Sequence, residues 1–299
     1  MASRSIAISD RSPARLTQIV RTRAELRDAL DGVGRPIGLV PTMGWLHDGH
    51  RALIRQARAA EATTVVTIFV NPRQFTLAED YTRYPRNQTR DLDVCRTEGV
   101  DLVFAPDAPE VYPAGFDTIV SVGAIAQPLE GAARPGHFDG VATVVAILFG
   151  LVGANRAYFG QKDAQQVMVI RQMARDLAIP TQVIACPTVR ETDGLALSSR
   201  NVHLSPGERA AAPVLHRALL ATRARWEAGE RSAEALRDAL RKTLSAEPLA
   251  DIEYVSVADG TTLEELERVD GPALLSLAVR FGATRLIDNE PLGAGPPTS

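Results

Sequence analysis

Lysine is nearly absent from this 299-residue chain. Only Lys162 and Lys242 are lysines, and the other 31 of the 33 basic residues are arginines. Histidine is also scarce, with five residues in the whole sequence. Because the chain uses these two residue types so sparingly, a lysine or a pair of histidines inside a motif is a stronger sign of function than it is in an average sequence.

Three further shortages exclude whole classes of protein. A formal net charge of −3 lacks the positive excess that non-specific nucleic-acid binding needs. Two cysteines, Cys95 and Cys186, are too few and too far apart for a disulfide framework, so we expect a reducing, cytoplasmic setting. The longest apolar run, Val141–Val152, is shorter than the about 20 residues of a membrane span. Residues 1–12 lack the apolar core of a signal peptide, so neither nucleic acid nor membrane is an expected partner.

The first two thirds of the chain alternate strand and helix patterns. Thr63–Val70 is a nearly continuous apolar, β-branched run, as in a strand covered on both faces. Such alternation predicts βαβ units and a parallel sheet, which binds ligands beyond the carboxyl ends of its strands. The other predicted strands are Ile37–Val40, Leu102–Ala105, Thr118–Val122, Ala157–Phe159 and Thr181–Ala185, and the predicted helices are Gly49–Ala60, Gln88–Glu98, Val141–Val152 and Ala164–Leu177.

The pattern changes near Val189. A polar loop is followed by two helical patterns and three short strand patterns, which predicts a smaller α+β domain. We therefore expect an α/β domain over residues 1–189 and a second domain over residues 190–299. The predicted helices are Pro206–Glu227 and Ala233–Ala246, and the predicted strands are Ile252–Val257, Ala273–Val279 and Arg285–Ile287.

The strongest site signal is the stretch Pro41–His50, which reads PTMGWLHDGH and joins the first strand to a helix. His47 and His50 lie in the first helical turn, where free backbone N–H groups and the helix dipole favour an anion. Gly44 and Gly49 would allow close approach of a ligand. Two alternatives stay open, namely that one histidine packs while the other caps the helix, or that both bind a metal, although no third ligand is evident.

A second signal is Gly160–Asp163, which reads GQKD and follows a predicted strand. The compact ammonium of Lys162 suits a phosphate group. A solvated surface lysine is the alternative, and Asp163 is equally suited to cap the next helix.

A third signal is the loop Arg190–Asn201, in which Ser198, Ser199 and Arg200 form a candidate anion clamp. A polar interdomain linker has a similar composition. The position of this loop between two predicted domains favours a ligand site.

Two further stretches are suggestive. Phe69–Phe75 ends a strand with amide side chains suited to hydroxyl and carboxylate groups, although it equally suits an ordinary turn. Arg134–Val141 precedes an apolar helix, with Asp139 as a candidate cap or the whole stretch as a structural loop.

Six separated stretches together resemble the pantoate–β-alanine ligase family of the His-x-Gly-His nucleotidyltransferases. The resemblance runs from about Arg21 to Asn289. It is carried by PTMGWLHDGH, FVNPRQF, RPGHFDGVATVV, AYFGQKDAQQ, RETDGLALSSRN and TRLIDN. It implies a Rossmann-like N-terminal domain, a smaller C-terminal lid domain and a homodimer.

The resemblance also implies a reaction in two steps. ATP, accompanied by Mg²⁺, and pantoate would give an enzyme-bound pantoyl adenylate and pyrophosphate, after which β-alanine would give pantothenate and AMP. Catalytic roles would fall to His50, as proton donor, and to His47, Lys162, Ser199 and Arg200, while Gln74 and Gln166 would hold pantoate. The ATP-binding residues would be Met43, Gly44, His47, Gly49, His50, Gly160, Lys162, Asp163, Val189, Leu197, Ser198, Ser199 and Arg200.

The chain departs from the family pattern at several positions. Trp45 stands where a small residue is common, and Leu197 where methionine is usual. Arg90 replaces one of two acidic residues found in some members, which leaves Asp91 as the candidate metal ligand and predicts that ATP phosphates hold most of the Mg²⁺. Two alternatives to the ligase are another small-molecule nucleotidyltransferase, against which Gln74 and Gln166 argue, and a non-catalytic nucleotide-binding module.

Overall fold

A computed structural model describes residues 16–75 and 78–293. The N-terminal part contains one six-stranded parallel sheet, which confirms the predicted Rossmann-like fold. Its strands are β1 Gln18–Val20, β2 Ile37–Thr42, β3 Thr63–Ile68, β4 Leu102–Phe104, β5 Arg156–Gly160 and β6 Gln182–Cys186. They lie in the order β1-β4-β3-β2-β5-β6, so that β2 is central and the chain crosses over to either side of it.

Helices cover both faces of this sheet. The helices of the N-terminal part are α1 Arg23–Leu30, α2 Asp48–Ala60, α3 Ala78–Arg83, α4 Gln88–Thr97, α5 Ala108–Val111, α6 Glu130–Ala133, α7 His137–Val152 and α8 Ala164–Asp176. Leu39 and Val65 pack into the core under α7 and α8, whereas their neighbours Val40 and Val66 pack into the core under α2 and α4. Burial on both sides explains why the strands are apolar at successive positions.

The predicted strand Thr118–Val122 is wrong. This segment joins no sheet. The amide of Val120 donates to Thr143 Oγ1 (2.9 Å) and not to a strand, and the side chain of Val122 is buried in the core. The three-residue strand β1 pairs with β4 instead, and its sequence is too short to show a periodic pattern.

The C-terminal part is an α+β unit with its own core, as predicted. Its elements are α9 Pro206–Ala211, α10 Val214–Glu227, α11 Ala233–Ser245, β7 Asp251–Asp259, β8 Ala273–Phe281 and β9 Thr284–Leu292. The three strands form an antiparallel sheet in the order β7-β8-β9. The predicted helix over residues 206–227 is two helices, because Pro213 offers no amide hydrogen to continue the first one. The boundary between residues 189 and 190 stays a prediction.

A helix that spans a membrane must be both long and apolar. Among residues 16–75 and 78–293, no helix has the length and apolar character to span a bilayer.

Candidate active site

A cavity of about 250 Å³ lies beyond the carboxyl ends of β2, β3, β5 and β6. Almost all of the proposed ligand-binding residues line it, whereas Gly44 and Asp91 do not. The parallel sheet therefore brings together segments that lie far apart in the chain. The lining residues among those proposed are Met43, His47, Gly49, His50, Gln74, Gly160, Lys162, Asp163, Gln166, Val189, Leu197, Ser198, Ser199 and Arg200.

The two histidines cap α2 reciprocally. His47 is the N-cap residue, and its Nδ1 accepts a hydrogen bond from the amide of Gly49 (3.1 Å). His50 Nδ1 accepts in turn from the amide of His47 (3.3 Å). Because a neutral imidazole that accepts at Nδ1 carries its hydrogen on Nε2, both rings keep an Nε2–H donor for a ligand. Capping and ligand binding are therefore compatible roles for the same two side chains.

The surroundings keep both imidazoles neutral. Burial lowers the pKa of His47 to about 4, and the charge of Lys162 contributes to the same shift. Burial, followed by His47 and Lys162, lowers the pKa of His50 to about 3. The ring centroids lie 4.1 Å apart, so two imidazolium charges would repel each other strongly. The pair is a set of neutral hydrogen-bond donors near pH 7.

The glycines of this turn make room for side chains. A Cβ at Gly49 would lie 2.8 Å from Cε1 of His47, so any larger residue would displace the imidazole that accepts its amide hydrogen. Gly44 has φ +80°, and a Cβ there would lie 2.9 Å from Asp91 Oδ2. The sequence requires glycine at both positions to accommodate the protein's own groups.

Asp91 stabilises the turn that precedes His47 and His50. Its carboxylate is buried and accepts the amides of Trp45 and Leu46, each at 2.8 Å. Each oxygen thus accepts one backbone amide, and a role of Asp91 as a metal ligand stays a prediction. Within the described residues there is no group of three or more His, Cys, Asp or Glu side chains able to hold a metal.

Trp45 does not narrow the cavity, since it is not among the lining residues. Its ring lies under the guanidinium of Arg90, with Cζ 5.0 Å from the ring centroid. Trp45 and Arg90, which both depart from the family pattern, therefore contact each other in a cation–π pair.

Gln74 is held in one orientation beside Met43. Its Oε1 accepts from Asn71 Nδ2 (3.0 Å), and its Nε2 donates to Met43 Sδ (3.0 Å). Asn71 also donates to the carbonyl of Gly140 (3.0 Å), where a Cβ would lie 2.2 Å from the Arg73 carbonyl oxygen. Close packing of α7 against this turn positions the amide.

Lys162 is not a solvated surface residue, because its side chain is only 16% exposed and lines the cavity. Its Nζ lies 3.7 Å from Asp163 Oδ1. Asp163 occupies the N-cap position of α8, as the capping alternative predicts, but its side chain makes no capping hydrogen bond. Asp139 is not a cap either, since Gly136 occupies that position in α7.

The loop after β6 forms the remaining side of the cavity. Residues 189–197 form a hairpin in which the amide of Leu197 donates to the carbonyl of Val189 (2.9 Å). Ser198 Oγ then accepts from the amide of Arg200 (3.2 Å) at the start of a short 3₁₀ helix. The Arg200 side chain extends from an exposed residue.

Three further polar residues line the cavity: Tyr84, which the sequence analysis did not single out, and Arg134 and His137, which lie in a stretch marked as suggestive but without an assigned role. Burial raises the pKa of Tyr84, whose hydroxyl is hydrogen-bonded to Ser199. His137 Nδ1 donates to the carbonyl of Gln74 (2.7 Å), and burial lowers its pKa to about 4. All three stand in loops or at a helix start, so no periodicity marks them.

Comparisons with known proteins agree on one family. The profile described as Pantoate-beta-alanine ligase matches residues 18–291. The pantothenate synthetase of Roseiflexus sp. (strain RS-1) is 60% identical over 272 residues, which cover 91% of this chain and 98% of the relative. That of Chloroflexus aggregans is 59% identical over 274 residues, covering 91% and 98%.

Solved structures show the same similarity. Pantothenate synthetase from Thermus thermophilus has a TM-score of 0.88 at 50% identity, covering 92% of this chain and 99% of that one. The pantoate-beta-alanine ligase from Francisella tularensis, complexed with beta-gamma ATP and beta-alanine, has a TM-score of 0.75 at 33% identity, covering 92% and 97%. The chain belongs to the pantoate–β-alanine ligase family.

Proposed function

We propose that this protein condenses pantoate with β-alanine at the expense of ATP, through an enzyme-bound pantoyl adenylate. The observation that carries the proposal is the convergence of two neutral imidazoles and the Lys162 ammonium on the cavity that also contains Gln74 and Gln166. The complex named for the Francisella relative, with an ATP compound and beta-alanine, supports the same substrates.

In the first step, a carboxylate oxygen of pantoate attacks the α-phosphorus of ATP. The bond from that phosphorus to the bridging oxygen breaks, and pyrophosphate leaves with the electron pair. The Nε2–H groups of His47 and His50 donate to phosphate oxygens, and Lys162 balances the charge that develops there. With a pKa of about 3, His50 acts as a hydrogen-bond donor in the free enzyme and not as a charged acid.

In the second step, the amine of β-alanine attacks the acyl carbon of the adenylate. The acyl–oxygen bond to AMP breaks, and the attacking nitrogen releases its proton. Gln74 and Gln166 orient the pantoyl group, because a fixed amide discriminates between hydroxyl and carboxylate oxygens through its donor and acceptor ends. Ser198, Ser199 and Arg200 cover the phosphates, the hairpin after Val189 borders the nucleoside, and residues 190–299 act as the lid domain.

Two further features of the proposal concern Mg²⁺ and assembly. Mg²⁺ would enter on the ATP phosphates, since Asp91 is occupied by backbone amides. A homodimer is proposed from the family resemblance, and the mass in sedimentation equilibrium tests it. A monomer mass across the working concentration range would contradict it.

The test of the reaction is the nucleotide product. Incubation with ATP, pantoate and β-alanine should yield AMP and pantothenate, whereas ADP would rule out the adenylate route. Substitution of either His50 or Lys162 by alanine should slow pyrophosphate release by about 10²-fold or more. Product masses separate this ligase from a nucleotidyltransferase that retains the nucleotide, and ATP binding without turnover would indicate a binding module.

A further inference from the structure

Asn289, on strand β9 of the C-terminal sheet, lies against the turn that carries Lys162. Its Nδ2 donates to the carbonyls of Gln161 (3.0 Å) and Lys162 (2.8 Å). Its Oδ1 accepts from Gln161 Nε2 (3.1 Å), so the amide is used at both ends. Asn289 is only 4% exposed, so these are well-shielded contacts between segments that are more than 120 residues apart.

The preceding residue of β9 performs a similar task on the other side of the cavity. Asp288 is 3% exposed and binds the guanidinium of Arg190 through both oxygens, at 2.5 and 3.0 Å. Arg190 also donates to the carbonyl of Gly194 (3.2 Å), within the hairpin that leads to Leu197–Arg200. Two adjacent residues of one edge strand thus contact both of the segments that bring cations to the cavity.

We propose that Asn289 is a positioning residue that sets the place of the Lys162 ammonium, with Asp288 holding the facing hairpin. The turn Gln161–Asp163 is a short 3₁₀ segment without a side-chain cap, so bonds from outside it define its path. The side chain of Lys162 extends four methylenes from this turn, so a small shift of the backbone moves the ammonium group by a comparable distance. The inference rests on the proposed function for the identity of the phosphate ligand.

The experiment compares Asn289→Ala with wild type at saturating ATP and pantoate. Pyrophosphate release should fall by about 10-fold or more, with the KM for pantoate changed by less than about two-fold, since misplacement by about 1 Å costs up to 10²-fold. In a Lys162→Ala background the same substitution should have less than about a two-fold effect, because the group it positions is gone.

The matched control is Thr181→Val. Thr181 is 5% exposed, and its Oγ1 donates to the carbonyl of Ala154 (2.8 Å) at the opposite end of the sheet. It loses one buried donor as well, so it should lower stability while leaving pyrophosphate release unchanged. Equal losses of activity in Asn289→Ala and Thr181→Val would reduce Asn289 to a general structural role and overturn the inference.

Three further outcomes overturn the proposal: a rate of Asn289→Ala within two-fold of wild type, an additive loss in the double variant, or a loss confined to the KM for pantoate. If Asn289→Ala does not fold by circular dichroism, Gln161→Ala removes only the bond that orients the amide. It should slow the rate by about three-fold, and an unchanged rate would contradict the proposal. If wild type itself releases no pyrophosphate with pantoate, the proposed function fails. The inference is then tested by ATP affinity, which Asn289→Ala should weaken only when Lys162 is present.

Discussion

Two sides of the active-site cavity are built on different principles. The histidine wall, Met43–His50, is held by hydrogen bonds within its own turn and by Asp91 behind it. The serine wall, Leu197–Arg200, begins from a hairpin whose Arg190 is bound by Asp288, a residue 98 positions away. The first wall needs little beyond the parallel sheet, whereas the second depends on the C-terminal sheet. A histidine wall held within its own turn and a serine wall held by another part of the chain suit a site that must admit ATP and then exclude water.

Among the variants that test this comparison, Gly49→Ala should have the largest effect on the rate of pyrophosphate release. The added methyl group would overlap His47 and misplace an Nε2–H donor, so pyrophosphate release should fall by about 10²-fold. Gly150→Ala is the matched control, because a Cβ there meets nothing within 4 Å inside α7. It should stabilise the protein by about 0.5–1 kcal/mol and leave the rate unchanged. Similar kinetics for the two variants would show that the turn tolerates movement.

Asp91→Asn tests the anchor of the histidine wall. An amide in place of the carboxylate turns one acceptor toward a backbone N–H into a donor, so urea denaturation should show a loss of about 1–3 kcal/mol. The dependence of the rate on Mg²⁺ concentration should keep its midpoint if the carboxylate serves only to accept the two backbone amides. A several-fold shift in that midpoint would identify Asp91 as a metal ligand.

Arg200→Ala probes the serine wall. The residue is exposed, so stability should stay within about 0.5 kcal/mol of wild type. The KM for ATP should rise by about 10-fold, as expected for one lost charge-assisted contact. A loss of stability similar to that of Asp91→Asn would mean that the two walls are not different in kind.

The histidine wall also predicts a pH dependence of stability, to which His137, with a pKa lowered to about 4, contributes as well. The folded-state pKa values of His47 and His50, about 4 and about 3, lie below the usual 6.5. The unfolded chain therefore binds protons first as pH falls, and the free energy of unfolding should decrease below pH 6.5 toward pH 4. Denaturation midpoints of wild type and His50→Gln over this range check it, with a shallower slope expected in the variant. Parallel slopes would refute the shift.

Much of the fold could be predicted because long elements leave periodic patterns. The strand Thr63–Ile68 and the helix Asp48–Ala60 follow their patterns closely, since burial on both faces or on one face dictates the residue types. The segment Thr118–Val122 shows the limit of this reasoning. Its composition suits a strand, but in the folded chain the amide of Val120 donates to a side chain, Thr143 Oγ1, and not to a neighbouring strand.

The candidate site divides in the same way. The motif residues were evident from rare side chains at strand ends, and these residues do line one cavity. Tyr84 was missed and His137 received no role, because neither a loop residue nor the first residue of a helix carries a pattern that reveals which cavity it borders. Asp91 is a candidate metal ligand through the family resemblance, and nothing in the sequence indicates its hydrogen bonds to the amides of Trp45 and Leu46.

Residue types and local spacing predicted the family, the folds of the N- and C-terminal parts and the candidate site residues, because these properties follow local patterns. How the candidate residues are held follows from contacts that arise only in the folded chain. The turn that carries Lys162 accepts hydrogen bonds from Asn289, more than 120 residues away, and the hairpin before Leu197 is held through Arg190 by Asp288. Hydrogen bonds between distant segments have no spacing rule in a sequence, because they arise when two separate parts of the chain pack together.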